Sequence, residues 1–144
     1  TNIITCEMVA TARWLASETE PTDLIAAHDI GALGYFTHRP LLDLAGLISP
    51  ETIPLLRDEP GLLSLMQARG VRYAVFFPDW YPALAASPAL RLVAQQACSS
   101  TQAAGQQSLA VYATTWSSHL SVRQEKQVSL ERNWSTKDQF VRIE

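Results

Sequence analysis

In 144 residues, 47 % hydrophobic and 17 % charged with a formal net charge of -3, there is room for one domain with a sizeable core and little surface charge. No lysine occurs before residue 117 and the six arginines there are scattered, which excludes the clustered basic face that nucleic acid requires. The apolar runs are far shorter than the ~20 residues of a membrane span. The two cysteines, Cys6 and Cys98, are too few for a zinc site or a disulfide framework. A bridge between them fits an oxidising compartment, but unpaired buried thiols are the commoner state. The chain opens on Thr1 without a visible signal peptide, as expected of a processed product or a piece of something longer.

Residues 5–18, TCEMVATARWLASE, predict an amphipathic helix with Met8, Ala12 and Leu15 near one face and Thr5 placed to cap its start. After a turn at 19–23, LIAAH (24–28) has the continuous apolar character of a strand buried on both faces. DIGALGYFTH (29–38) predicts a short helix with Asp29 as cap. One or both of its Gly31 and Gly34 are expected to take positive φ or to lie against neighbouring backbone. RPLLDLAGL (39–47) gives a second strand. Ser49 and Pro50 signal a helix over 49–56, and Gly70 closes another over 60–70. VRYAVFF (71–77) is a strand, and 78–88 turns out of it. Residues 89–97 and 108–115 read as an antiparallel hairpin. Residues 1–116 thus form one α/β domain. Residues 117–144 hold both lysines, three arginines and four acids, and read as a polar extension, helical or partly disordered.

This order implies an α/β sandwich: a partly parallel sheet, an antiparallel hairpin at one edge, and helices packed on the sheet. LIAAH and PLLDL are expected to be neighbouring parallel strands. Ligands of such sheets sit beyond the carboxyl ends of the parallel strands. Those ends carry His28 and Asp29, then Asp43, then Asp79 and Trp80. Asp29 and Asp43 would flank a shared crevice with Tyr35 as a wall. As a carboxylate pair they suit sugar hydroxyls, a metal or acid/base work. Equally, Asp29 suits a helix cap and Asp43 a loop backbone. His28 is a base or ligand in one reading and a packing residue in the other. Trp80 and Tyr81 are of the types that stack on sugar rings or fill a core, and Tyr35 and Phe36 read more readily as core. The glycines of DIGALG lack phosphate-loop spacing, and no G-x-S-x-G elbow occurs. No metal site and no cofactor is implied.

The stretch AAHDIGALGYFTHRPLLDLAGLISPE resembles the soluble C-terminal domain of bacterial multi-spanning membrane glycosyltransferases. These are relatives of the dolichyl-phosphate-mannose–protein mannosyltransferases and the mycobacterial arabinofuranosyltransferases. The pattern D-I-G-x-x-G-Y, then L-x-D-x-x-G-L, then a proline-led helix, falls on Asp29, Ile30, Gly31, Gly34, Tyr35, Asp43, Gly46, Leu47 and Pro50. RGVRYAVFFPDWYP and LAVYATT also fit, so the likeness covers roughly residues 5–115. It implies a catalytic carboxylate in a loop of the membrane portion, not in this chain. It makes Gly31, Gly34, Gly46 and Pro50 structural. His28, Asp29, Tyr35, Asp43, Asp79 and Trp80 would shape the domain or help bind acceptor glycan. The implied partners are the membrane-embedded portion of the parent chain and a glycan acceptor, at the extracytoplasmic face. The competing function class is an independent small α/β enzyme, hydrolase-like, using the Asp29/Asp43 edge.

Overall fold

The computed structural model describes residues 4–96, 108–116 and 140–142. A π-helical turn, Ile4–Met8, leads into α1 (Val9–Glu18). Then come β1 (Ile25–Ala27), α2 (Gly31–Thr37), β2 (Leu41–Asp43), a 3-10 helix (Pro50–Leu55), α3 (Glu59–Arg69), β3 (Tyr73–Phe76), α4 (Pro82–Ala86), β4 (Leu90–Gln96), β5 (Ala110–Thr114) and β6 (Phe140–Arg142). One mixed sheet results, in the order β2-β1-β3-β5-β4-β6.

The expected parallel pair is present. Ile25, Ala26 and Ala27 of β1 lie opposite Leu41, Leu42 and Asp43 of β2. The twelve residues from Asp29 to Pro40 match the dozen or so that a parallel crossover needs. β1 also pairs in parallel with β3, and β3 pairs antiparallel with β5. The chain leaves β1 in one direction for β2, then passes back over β1 to β3. Crossovers of one hand must then lie on opposite faces of the sheet.

The core shows this division. Ile25, Ala27, Tyr73, Val75, Val111 and Ala113 face α1 and Leu33 of α2. The alternate residues Ala26, Ala74, Phe76, Ala110 and Tyr112 face Leu62 and Met66 of α3 and Leu84 of α4. Every residue of β1 and β3 is buried, because both faces are covered.

Arg39 ties the first layer together. Its guanidinium donates to the carbonyls of Ala16 (3.1 Å), Thr19 (3.0 Å) and Thr37 (2.8 Å), and to the Thr19 hydroxyl (3.0 Å). The end of α1 is thereby clamped to the end of α2. Gly70 ends α3 at φ 70°, in the left-handed conformation a helix stop demands.

Several local expectations are corrected. Asp29 does not cap α2: Ile30 holds the cap position without a side-chain bond, and the Asp29 Oδ1 is 3.4 Å from the Gly31 N–H. Ser49 holds the cap position of the 3-10 helix as expected, its carbonyl accepting from the Thr52 N–H at 3.0 Å, but its hydroxyl does not close the cap and accepts instead from the Asp43 N–H at 2.9 Å. Gly31 and Gly34 do not have positive φ. A Cβ at Gly31 would meet only Asp29 Oδ1 at 3.8 Å, and one at Gly34 would touch the Leu41 side chain at 3.4 Å. Of the three motif glycines the one with a steric task is Gly46, at φ 80°, where a Cβ would come within 2.9 Å of Ile53 Cγ1. Cys6 is disulfide-bonded, where an unpaired thiol was the commoner expectation; Cys98 lies outside the described residues. So do residues 117–139 of the polar extension, while its residues 140–142 add a strand antiparallel to β4.

Candidate functional site

The loops that leave β1 and β3 set out toward opposite faces of the sheet, one into α2 and the other into α4. Their divergence opens the edge between the two strand ends, where an open α/β sheet receives ligands. His28 is the first residue beyond β1, and its N–H still reaches the carbonyl of Val75 in β3 at 3.4 Å. Phe77 to Tyr81 turn tightly out of β3, with the Trp80 N–H donating to the Phe77 carbonyl at 3.0 Å.

This turn swings two rings over His28. The Tyr81 hydroxyl lies 2.5 Å from His28 Nδ1. The Trp80 ring meets the imidazole edge to face, with centroids 4.8 Å apart, and rests against Phe77 at 5.0 Å. Tyr81 is buried against Phe76. Trp80 stays 56 % exposed, an indole held in place yet open to solvent. Asp29 and Asp79 are exposed next to this pair in sequence. The arrangement offers one aromatic face, two carboxylates as hydrogen-bond acceptors, and the Nε2 side of His28.

Burial pushes the Tyr81 phenol up to about 12, helped by the negative charges of Asp43 and Glu59. The hydroxyl therefore keeps its proton at neutral pH. It donates to Nδ1 when His28 carries its proton on Nε2, and accepts when Nδ1 is protonated. Either way the imidazole is pinned by its inner nitrogen.

Asp43 does not join this edge as a ligand contact. It is completely buried. Its Oδ1 accepts from the Ala45 N–H at 2.8 Å, and its Oδ2 from Leu47 at 2.5 Å and Ile48 at 3.0 Å. Its carbonyl takes the Thr52 hydroxyl at 2.8 Å. A carboxylate so committed and so buried holds the loop after β2 in shape and does not face a sugar. The expected crevice between Asp29 and Asp43 is thus not formed, and what converges at this edge is the contact of His28 with Trp80 and Tyr81.

Tyr35 also falls away as a wall. It projects from α2 into solvent, edge to face with Phe36, so neither ring is the core residue expected of it. Among the described residues no three His, Cys, Asp or Glu side chains converge on a metal position. Tyr81 and Phe77 are the members of the ring cluster that sequence reasoning did not connect to His28. Only the pairing of β1 with β3 brings them there, and no local pattern encodes a contact 53 positions apart.

No helix among the described residues is long and apolar enough to cross a membrane. No curated protein and no solved structure matches the chain. The model of a family described as a domain of unknown function, DUF8728, matches residues 2–136, and the chain belongs to that family.

Proposed function

We propose that this chain is a non-catalytic accessory domain of a polyprenyl-phosphate-sugar-dependent membrane glycosyltransferase, lying at the extracytoplasmic face and assisting acceptor glycan binding. The observation that carries the reading is the use made of Asp43. The deeply buried acid of the D-I-G-x-x-G-Y and L-x-D-x-x-G-L pattern is spent on three amides of its own loop. The motif is then architecture, as it is expected to be where the reacting carboxylate belongs to the membrane portion.

Glycan assistance is supported by Trp80. A fixed, exposed indole whose chain neighbour Asp79 is an exposed carboxylate suits a sugar ring, whose C–H face stacks while its hydroxyls donate. An independent hydrolase draws no comparable support, because its Asp29/Asp43 pair has lost one member to the loop.

Two measurements test the reading. Incubation with polyprenyl-phosphate sugars and acceptor oligosaccharides should give no turnover. Transfer that survives purification and disappears in Asp29→Asn would overturn the non-catalytic role. Titration with neutral oligosaccharides should shift the amides at 28–29 and 79–81, and Trp80→Ala should abolish those shifts. Absence of shifts in the parent chain would remove the glycan role.

A further inference from the structure

Four large aliphatic side chains stand out of the surface just beyond β2: Leu47 (81 % exposed), Ile48 (59 %), Ile53 (55 %) and Leu56 (47 %). They belong to one fixed structure. Asp43 holds the Leu47 and Ile48 amides. The Thr52 hydroxyl donates toward the carbonyls of Asp43 and Ser49, both at 2.8 Å. Gly46 lies so close to Ile53 that no side chain fits between them. Leu56 follows one turn later, its N–H 3.4 Å from the Ile53 carbonyl. Flexible loops fold such side chains inward. Here an internal hydrogen-bond scaffold keeps them out.

We infer that this aliphatic loop is a lipid-docking surface that inserts its tip into the interface of a phospholipid bilayer. Two features select lipid over a protein partner. The first is backbone satisfaction. Hydrocarbon offers no hydrogen-bond partner, so a segment entering it must bring its own. The tip amides at Leu47 and Ile48 already have theirs in Asp43.

The second is charge complementarity. Residues 44–56 contain one charge, Glu51, and it is paired with Arg69. Arg57 follows directly, exposed and without an ion pair among the described residues. Asp58 beside it is turned to the start of α3, accepting from the Gly61 N–H at 3.0 Å. An aliphatic surface whose one internal charge is paired, bordered by an exposed guanidinium, matches acyl chains bordered by phosphate.

This inference does not rest on the transferase reading. A chain with no transferase partner would still bind lipid, and a transferase domain that touched only its own parent would not. The test is co-sedimentation of the 144-residue chain with vesicles of phosphatidylcholine, with and without phosphatidylglycerol. The chain is expected to sediment with both and to prefer the anionic vesicles. Leu47→Ser combined with Ile48→Ser should weaken binding by about tenfold or more, since two aliphatic side chains no longer leave water. Arg57→Gln should remove only the anionic preference. Unchanged circular dichroism and thermal midpoint would show that both variants are folded. Failure of the parent chain to bind either vesicle overturns the proposal, as does equal binding by the double variant. A concentration-dependent dimer abolished by the same double substitution would assign the face to a second copy, and also overturns it.

Discussion

The Tyr81 hydroxyl and the His28 imidazole meet at 2.5 Å across 53 positions of sequence, joining the exits of β1 and β3 where the two loops part. This bond orients the ring against which Trp80 rests. Tyr81→Phe leaves the packing on Phe76 but removes the inner partner of His28. We expect a stability loss of about 1 kcal/mol in urea unfolding. Nitrogen NMR should show His28 exchanging between tautomers in the variant, and a single ordered ring in the parent.

The same phenol makes stability fall in alkali. An unfolded tyrosine ionises near 10, while Tyr81 holds its proton up to about 12. Between these values the unfolded chain binds fewer protons than the folded one, so rising pH favours unfolding. The stabilisation is complete below pH 10 and is lost progressively through pH 12, by up to about 2 kcal/mol. Tyr112, also raised by burial, acts in the same direction. Stability of Tyr81→Phe should therefore vary less between pH 10 and 12 than that of the parent. Equal slopes would show that Tyr81 is not the group responsible.

Asp43→Ala should cost about 3 kcal/mol, because three loop amides lose an ionised acceptor at once. Hydrogen exchange gives the sharper readout. The amides of Ala45, Leu47 and Ile48 should be protected in the parent despite the exposed side chains of Leu47 and Ile48, and exchange rapidly in the variant.

Two glycine substitutions should diverge. Gly46→Ala places a methyl against Ile53 in a left-handed backbone and should destabilise by about 1–3 kcal/mol. Gly31→Ala has room at the first turn of α2 and should be neutral or stabilise by up to about 1 kcal/mol. Thermal melts of the pair decide whether the steric demand lies after β2 or after β1.

Arg39→Lys keeps the charge but not the planar fork that reaches three carbonyls and a hydroxyl. A loss of about 1–2 kcal/mol is expected, with increased exchange at the end of α1. A variant as stable as the parent would show that the clamp is dispensable.

The strands and the partly parallel sheet were legible because apolar runs of strand length alternate with helical patterns and caps. LIAAH and PLLDL even carried their pairing, through the length of the segment between them. What was not legible depends on contacts distant in sequence or on competition between local ones. Asp29 looks like a cap, yet Ile30 takes that position. Ser49 takes the cap position it suggests, yet its hydroxyl is drawn to the Asp43 amide rather than to the helix. Gly31, Gly34 and Gly46 are alike as letters, and only the left-handed backbone and the approach of Ile53 separate the last from the others. Tyr35 and Phe36 read as core because large rings usually are, but the buried side of α2 is taken by Leu33 and Thr37. The motif spacing pointed to Asp29 and Asp43 as partners. It could not reveal that Asp43 turns toward its own loop while His28 finds Tyr81.

The strand order also shapes how the chain reaches its folded state. β3, the strand that joins the parallel half to the antiparallel half, enters the sequence only at Tyr73. During synthesis β1 and β2 can pair early, but β1 keeps a bare edge until β3 emerges, and β3 keeps one until Ala110–Thr114 arrives. No early subset of strands is closed on both sides. Stability should therefore be gained in one late, concerted step dominated by contacts far apart in sequence, and such topologies fold slowly, on the order of milliseconds to seconds. Chains truncated before residue 110 should be recognised by chaperones as unfinished rather than behave as smaller domains.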